Sequence, residues 1–242
     1  MPLKTPAEVI NSISDMPATF LCRVCGGLVT IYDPFISGIA IKLGVTCEKC
    51  CEADNRERAA SAIESRVRSR FNQFKFICPE DFMETDPRRL PLPGKLDQVT
   101  RWKFGARGLT LRGPTGTGKS RCMWVLAKRQ FMAGKSIRAL DHTLHNTYGA
   151  IFARGSEAAE RWAAAVTTAD ILLLDDVFKA KLTDSLEAAL FSVISCRTER
   201  NRPIIATLND TGSSLASRLT EDRGAAMVRR LREFSEAIEF TK

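Results

Sequence analysis

The 242-residue chain lacks any uninterrupted apolar run of the roughly 18 residues that a membrane span requires. Its first stretch, MPLKTPAEVINSISDMP, holds two acidic residues and no apolar run of signal-peptide length, so no secretion signal is expected. A chain with neither feature is expected in the cytoplasm, where reducing conditions disfavour disulfides. Internal repeats and low-complexity tracts are also missing, which leaves ordinary globular domains. Histidine is scarce: His142 and His145, in LDHTLHNTY beside Tyr148, are the only two, and no histidine-based metal site is expected there.

What is present is basic charge, a core and cysteine. Thirty-six Lys and Arg against 28 Asp and Glu give a net charge of +8, which favours a polyanionic partner such as nucleic acid. The 44% hydrophobic content suffices for an ordinary core, and the length fits one large domain or a medium one with a small companion.

Four of the eight cysteines fall into two pairs, Cys22-x2-Cys25 in LCRVCGG and Cys47-x2-Cys50 in TCEKCC. Two residues between thiolates let both sulfurs face one tetrahedral Zn²⁺, and two such pairs make the pattern of a zinc ribbon. A redox CxxC needs only one pair. Gly26 and Gly27 free the backbone for the first turn. The runs LVTIY and GIAIKLGVT, separated by DPFISG, predict a hairpin between the pairs. A region of this size has little core of its own, so a structural metal would also account for its folding. Cys51 is an alternative to Cys50 as fourth ligand; spacing favours Cys50. Cys78, Cys122 and Cys196 are isolated and read as small buried hydrophobes.

The most specific stretch is GPTGTGKS, comprising Gly113, Pro114, Thr115, Gly116, Thr117, Gly118, Lys119 and Ser120, a full GxxxxGK[ST] match. A strand-like LTL precedes it and a helical pattern closed by Gly134 follows. Glycines let backbone N–H groups face a phosphate, and the following helix adds its N-terminal dipole. Lys119 is expected to reach the β- and γ-phosphates of ATP, and the Ser120 hydroxyl to ligate Mg²⁺.

ADILLLDDV supplies a second strand, apolar throughout as if buried on both faces, ending in Asp175 and Asp176. Asp175 is assigned to the Mg²⁺ shell and Asp176 to orienting or deprotonating the attacking water. The next helix is expected near Asp184, too late for this pair to cap. A third strand, RPIIATLND, ends in Thr207 and Asn209; Asn209 is favoured as a γ-phosphate sensor, against ordinary turn formation at LNDTG. Strands are expected at Leu109–Leu111, Ser136–Leu140, Ile171–Leu174, Ile204–Thr207 and Ala237–Phe240. Their alternation with helices predicts a three-layer α/β sheet with its ligand at the carboxyl ends of the strands.

The order GPTGTGKS, ILLLDD, PIIATLND, MVRRLREFSEAIEF resembles the DnaC/IstB group of AAA+ ATPases, most nearly the DnaC- and DnaI-type replicative helicase loaders, over residues 76–242. That resemblance implies a P-loop ATPase core without a C-terminal lid. It implies hydrolysis sites formed between self-associating subunits, with Arg230 in MVRRL as arginine finger and Arg218 in SLASRL as second choice. It also implies a DnaB-type helicase and single-stranded DNA as partners, and a zinc-binding module ahead of the ATPase that contacts the helicase. An IstB-like helper of DNA transposition is the alternative; a non-catalytic ATP-binding adaptor is a third.

The resulting division is 1–54, a zinc-ribbon-like docking domain; 55–75, a basic helical linker; and 76–242, the ATPase. The linker carries Arg56, Arg58, Arg66, Arg68 and Arg70, with Ala60, Ile63 and Val67 spaced as one apolar stripe. Trp102, Phe104, Trp124 and Trp162 are candidate base-stacking residues, with core packing the default role for most.

Overall fold

The computed structural model describes residues 18–32, 36, 43–179, 182–209 and 219–241, the side chains of Leu144, His145 and Glu221 excepted. The chain divides into two compact units, Met1–Arg68 and Ser69–Lys242. Among the described residues no helix is long and apolar enough to cross a membrane.

In the first unit β1 (Ala18–Leu21) pairs antiparallel with β2 (Leu28–Ile31), Leu21 opposite Leu28, so the first cysteine pair sits in the turn between them. This differs from the expected hairpin: LVTIY pairs with the segment before the first pair. Most of GIAIKLGVT lies outside the described residues, and its Val45 bridges to Cys22. Helix α1 (Glu48–Lys75) begins within the second cysteine pair, earlier than the expected linker, and carries the chain into the second unit. Its stripe does not bury: Ile63 is 64% and Val67 49% exposed. Pairs at i, i+4 support the helix instead, Glu52–Arg56, Asp54–Arg58 and Glu64–Arg68, each acid preceding its base.

The second unit is a five-stranded parallel sheet, ordered β4 (Ile137–Asp141), β5 (Ile171–Asp175), β6 (Ile204–Leu208), β3 (Gly108–Arg112), β7 (Ser235–Glu239). The strands ILLLD and IIATL are buried along their whole length because helices cover both faces. Alternation of side chains across a strand then feeds two cores. Ile171, Leu173 and Ile205 join one core with α3 (Pro93–Thr100) and α4 (Lys119–Met132). Leu172, Leu174, Ile204, Ala206 and Leu208 join the other, with α5 (Leu144–Ala153), α6 (Ser156–Thr168), α7 (Asp184–Glu199) and α8 (Glu221–Glu233). A short helix, α2 (Glu80–Met83), lies between α1 and α3.

At the amino ends of the strands a fully buried arginine ties the layers together. Arg197 of α7 donates to the carbonyl oxygens of Val166, Thr167, Ala169, Asp170 and Pro203, at 2.8–3.4 Å. It thereby caps the carboxyl end of α6 and holds the entrances of β5 and β6 side by side. Burial, with Arg202 nearby, lowers its pKa to about 10, so it stays charged at neutral pH. Arg197→Leu removes the guanidinium from all five carbonyls, of which Ala169 keeps a bond from Arg202 and Pro203 one from the Leu172 N–H, and the expected loss is about 3 kcal/mol. Thermal unfolding should fall on the order of 10 °C, with ATP affinity retained because the site lies at the opposite ends of the strands.

Candidate nucleotide site and cysteine centre

The loop after β3 wraps the start of α4. Gly113 takes φ 140°, and a Cβ there would meet the Phe240 carbonyl oxygen at 2.5 Å. Gly118 takes φ 92° immediately before Lys119, a left-handed turn that admits glycine most readily. Lys119 is 5% exposed and its Nζ donates to the carbonyl oxygens of Gly113 and Pro114, both at 2.8 Å. Burial lowers its pKa, and Asp176 and Asp175 partly offset that. Thr117 Oγ1 donates to Pro114 O at 2.9 Å, which fixes the loop.

Strand register brings the remaining groups together. Asp175 at the end of β5 pairs in register with Thr207 of β6. The Thr207 hydroxyl donates to Asp175 Oδ1 at 2.8 Å and accepts from the Asp176 backbone N–H at 3.0 Å. Ser120 Oγ donates to the same Asp175 Oδ1 at 2.6 Å, and the Trp124 indole N–H to Oδ2 at 3.3 Å. Asp176 takes φ 52°, a left-handed conformation that aspartate tolerates better than most residues. Its Oδ1 accepts from Asn209 Nδ2 at 3.0 Å. The result is a continuous path, Ser120–Asp175–Thr207–Asp176–Asn209, beneath an open cavity of about 330 Å³. Thr115, Gly116, Gly118, Lys119, Ser120, Asp176 and Asn209 line that cavity, with Arg89 and Arg121 adding cations.

Those donors fit the cofactors implied by the motif. A hydroxyl and a carboxylate 2.6 Å apart are hard oxygen ligands of the kind Mg²⁺ takes beside phosphates. Backbone N–H groups, a helix N-terminus and Lys119 suit the phosphates themselves.

Arg230 stands apart from this cavity. It is half-buried on α8, its guanidinium 5.3 Å from the centre of the Phe191 ring. Arg218 lies outside the described residues. Trp102 and Trp124 are buried in the core, Trp162 packs against Tyr148, and Phe104 is 37% exposed with Lys135 on its face. His142 is exposed. Cys78 and Cys122 are buried; Cys196 is half-buried. Thr207 is the residue that sequence reasoning passed over. Its position two before Asn209 puts both on one face of the strand tip, which is the signal that could have singled it out.

In the first unit the sulfurs of Cys22, Cys25, Cys47 and Cys50 lie within 4.8 Å of one another. Cys25 and Cys47 Sγ are 3.7 Å apart, close to the edge of about 3.8 Å that four ligands at 2.3 Å from a tetrahedral zinc define. The donor set therefore fits Zn²⁺. The first turn is closed by Cys22 N–H to Gly27 O at 2.7 Å, and Cys47 N–H donates to Cys22 Sγ at 3.3 Å. Backbone N–H groups of Cys25, Cys47 and Val24 hold the Cys22 thiol down at about 6. Sharing with the Cys47 and Cys25 sulfurs pushes Cys50 up to about 12. Cys51 falls outside the cluster and accepts instead from Asn55 Nδ2 at 3.7 Å.

No curated protein matches the chain. Among solved structures the fold is similar to the crystal structure of DnaI, over 68% of this chain and 92% of that one, at 18% identity and a TM-score of 0.53. The DnaC helicase loader is comparable: 67% and 95% covered, 18% identity, TM-score 0.51. AMPPCP-bound DnaA from Aquifex aeolicus matches 66% of this chain and 48% of its own length, at 15% identity and a TM-score of 0.51. The model of the IstB-like ATP binding proteins matches residues 60–241, most of the chain, and the protein belongs to that family.

Proposed function

We propose that the protein is a Mg²⁺-dependent ATPase that loads a hexameric DnaB-type replicative helicase onto single-stranded DNA, docking on the helicase through a zinc-bearing N-terminal module. The observation that carries the ATPase part is the path from Ser120 through Asp175, Thr207 and Asp176 to Asn209 at the mouth of the P-loop. Ser120 and Asp175 hold the Mg²⁺ shell, Lys119 the β- and γ-phosphates, and Asp176, steadied by Asn209, aligns the attacking water. Loss of the γ-phosphate then alters subunit packing.

The cysteine module supports the loader part. It lies ahead of the segment matched by the family model, and its Leu21, Val24, Leu28 and Tyr32 are each more than 60% exposed. Clustered apolar exposure on so small a unit suits a docking surface. Native mass spectrometry with the host's replicative helicase, ATP and Mg²⁺ should detect a mixed assembly that is lost when Cys22 and Cys25 become Ser. The family model carries the IstB name, which favours a transposition helper as second choice. ATP-dependent filaments on duplex DNA, with no helicase assembly, would select it.

Arg230 is the proposed arginine finger. Arg230→Ala should leave ATP binding within about twofold and reduce assembly-dependent hydrolysis by roughly 10³-fold or more. A normal rate in the assembled state would remove Arg230 from that role.

A further inference from the structure

The carboxylate of Asp175 is held on both oxygens. Ser120 and Thr207 donate to Oδ1, and the Trp124 indole N–H donates to Oδ2. Trp124 lies on α4, one turn beyond Ser120, and is 2% exposed. A buried indole N–H needs an acceptor, and a carboxylate makes a charge-assisted one. Nothing in its packing leaves the ring free to turn. Phe82 stacks on one face, centroids 6.4 Å apart and planes 12° apart, and Phe74 meets it edge-on at 6.2 Å. Phe82 itself lines the nucleotide cavity, with the Arg121 guanidinium 5.7 Å from its ring centre.

We propose that Trp124 is a positioning residue for the metal site: its indole N–H fixes the rotation of the Asp175 carboxylate, so that Oδ1 is the oxygen presented beside Ser120. The inference rests on the nucleotide-site assignment above. The Ser120 hydroxyl has one proton and two lone pairs, so it can ligate Mg²⁺ through oxygen while still donating to Asp175 Oδ1. Ser120 and Thr207 both hold Oδ1, so the Trp124 N–H is the contact on Oδ2 that sets the rotation of the carboxylate. Partners of this kind, bonded to a ligand and not to the metal, typically set metal affinity by about 10- to 100-fold. Trp124 touches no phosphate, so its N–H should matter only for the metal-dependent part of nucleotide binding.

Two variants separate the hydrogen bond from the ring. Trp124→Phe removes the N–H and part of the ring. Incorporating β-(3-benzothienyl)alanine at position 124 keeps the bicyclic shape and removes only the donor. ATP affinity is measured by titration calorimetry in EDTA and across a Mg²⁺ series, alongside thermal unfolding. The expected result for the benzothienyl protein is unchanged affinity in EDTA, an unchanged melting temperature and a Mg²⁺ requirement raised about tenfold or more. Phe should show the same Mg²⁺ shift with some loss of stability. A benzothienyl protein with the wild-type Mg²⁺ dependence overturns the inference and leaves the nucleotide site standing. Wild-type ATP binding indifferent to Mg²⁺ overturns the nucleotide-site assignment, and this inference with it.

Discussion

Replacing Lys119 with alanine is expected to abolish measurable ATP binding while leaving the fold in place. Lys119 is 5% exposed, and its ammonium, bonded to two loop carbonyls, is aimed along the P-loop. Truncating one member of a buried, hydrogen-bonded charge contact costs about 2–5 kcal/mol, which is on the order of 10²–10³-fold in affinity. The fold should tolerate the change. The lost bonds are to loop carbonyls at the rim of an open cavity, where water can replace the ammonium. Removing a buried charge that makes no ion pair among the described residues also relieves its desolvation. Calorimetric titration and thermal unfolding test both halves; ATP affinity within about threefold of wild type would remove Lys119 from the phosphate site. Lys119→Arg should also bind poorly, since a planar guanidinium does not replace a compact ammonium in a narrow loop. The same burial gives a pH signature. Because the Lys119 pKa is lowered, the charged form that ATP needs is lost as pH rises, sooner than for a solvated lysine.

The P-loop was legible in the sequence because its chemistry is contiguous: eight consecutive residues carry the turn, the cation and a hydroxyl suited to a metal. The sheet was legible because burial on both faces leaves near-continuous apolar runs, ILLL before Asp175 and IIA before Thr207, that no surface strand would show. Pairing is a different kind of information. Thr207 matters because β6 lies next to β5 in a register that sets it opposite Asp175, and nothing local to IIATLND encodes that neighbour. Trp124 looked like one of several aromatics with a default role in the core; it is in the core, but its single polar atom has a specific acceptor. Arg197 did not stand out in the sequence, and only the meeting of α6, β5 and β6 supplies the carbonyls that make its burial tolerable. The stripe of Ala60, Ile63 and Val67 shows the converse. Helical spacing marks a face, and whether that face is covered depends on packing that spacing does not contain.

Stripping the metal is expected to unfold the first unit and spare the second. Among the described residues up to Arg68, Cys22 is the only one that is buried, and it belongs to the four-sulfur cluster. Two four-residue strands with an exposed apolar face cannot stand alone, so a metal held by the four cysteines would supply what a core would. The pure protein should contain one zinc per chain, and serine at Cys22 or Cys25 should abolish it. All three tryptophans, Trp102, Trp124 and Trp162, lie in the second unit. Chelation should therefore leave tryptophan emission and ATP binding unchanged while amide exchange across residues 18–50 accelerates. Uptake should depend on pH in a stated direction. Cys50, held near 12, must release its proton to bind, so zinc affinity climbs with pH through the neutral range. Cys22, near 6, is already a thiolate above that pH and adds to the slope only below it. Competition with a chelator should thus grow steeper as pH falls through 6. A first unit whose exchange is unmoved by chelation, or a chain purified without zinc and equally protected, would return the four cysteines to the role of thiols that merely lie close together.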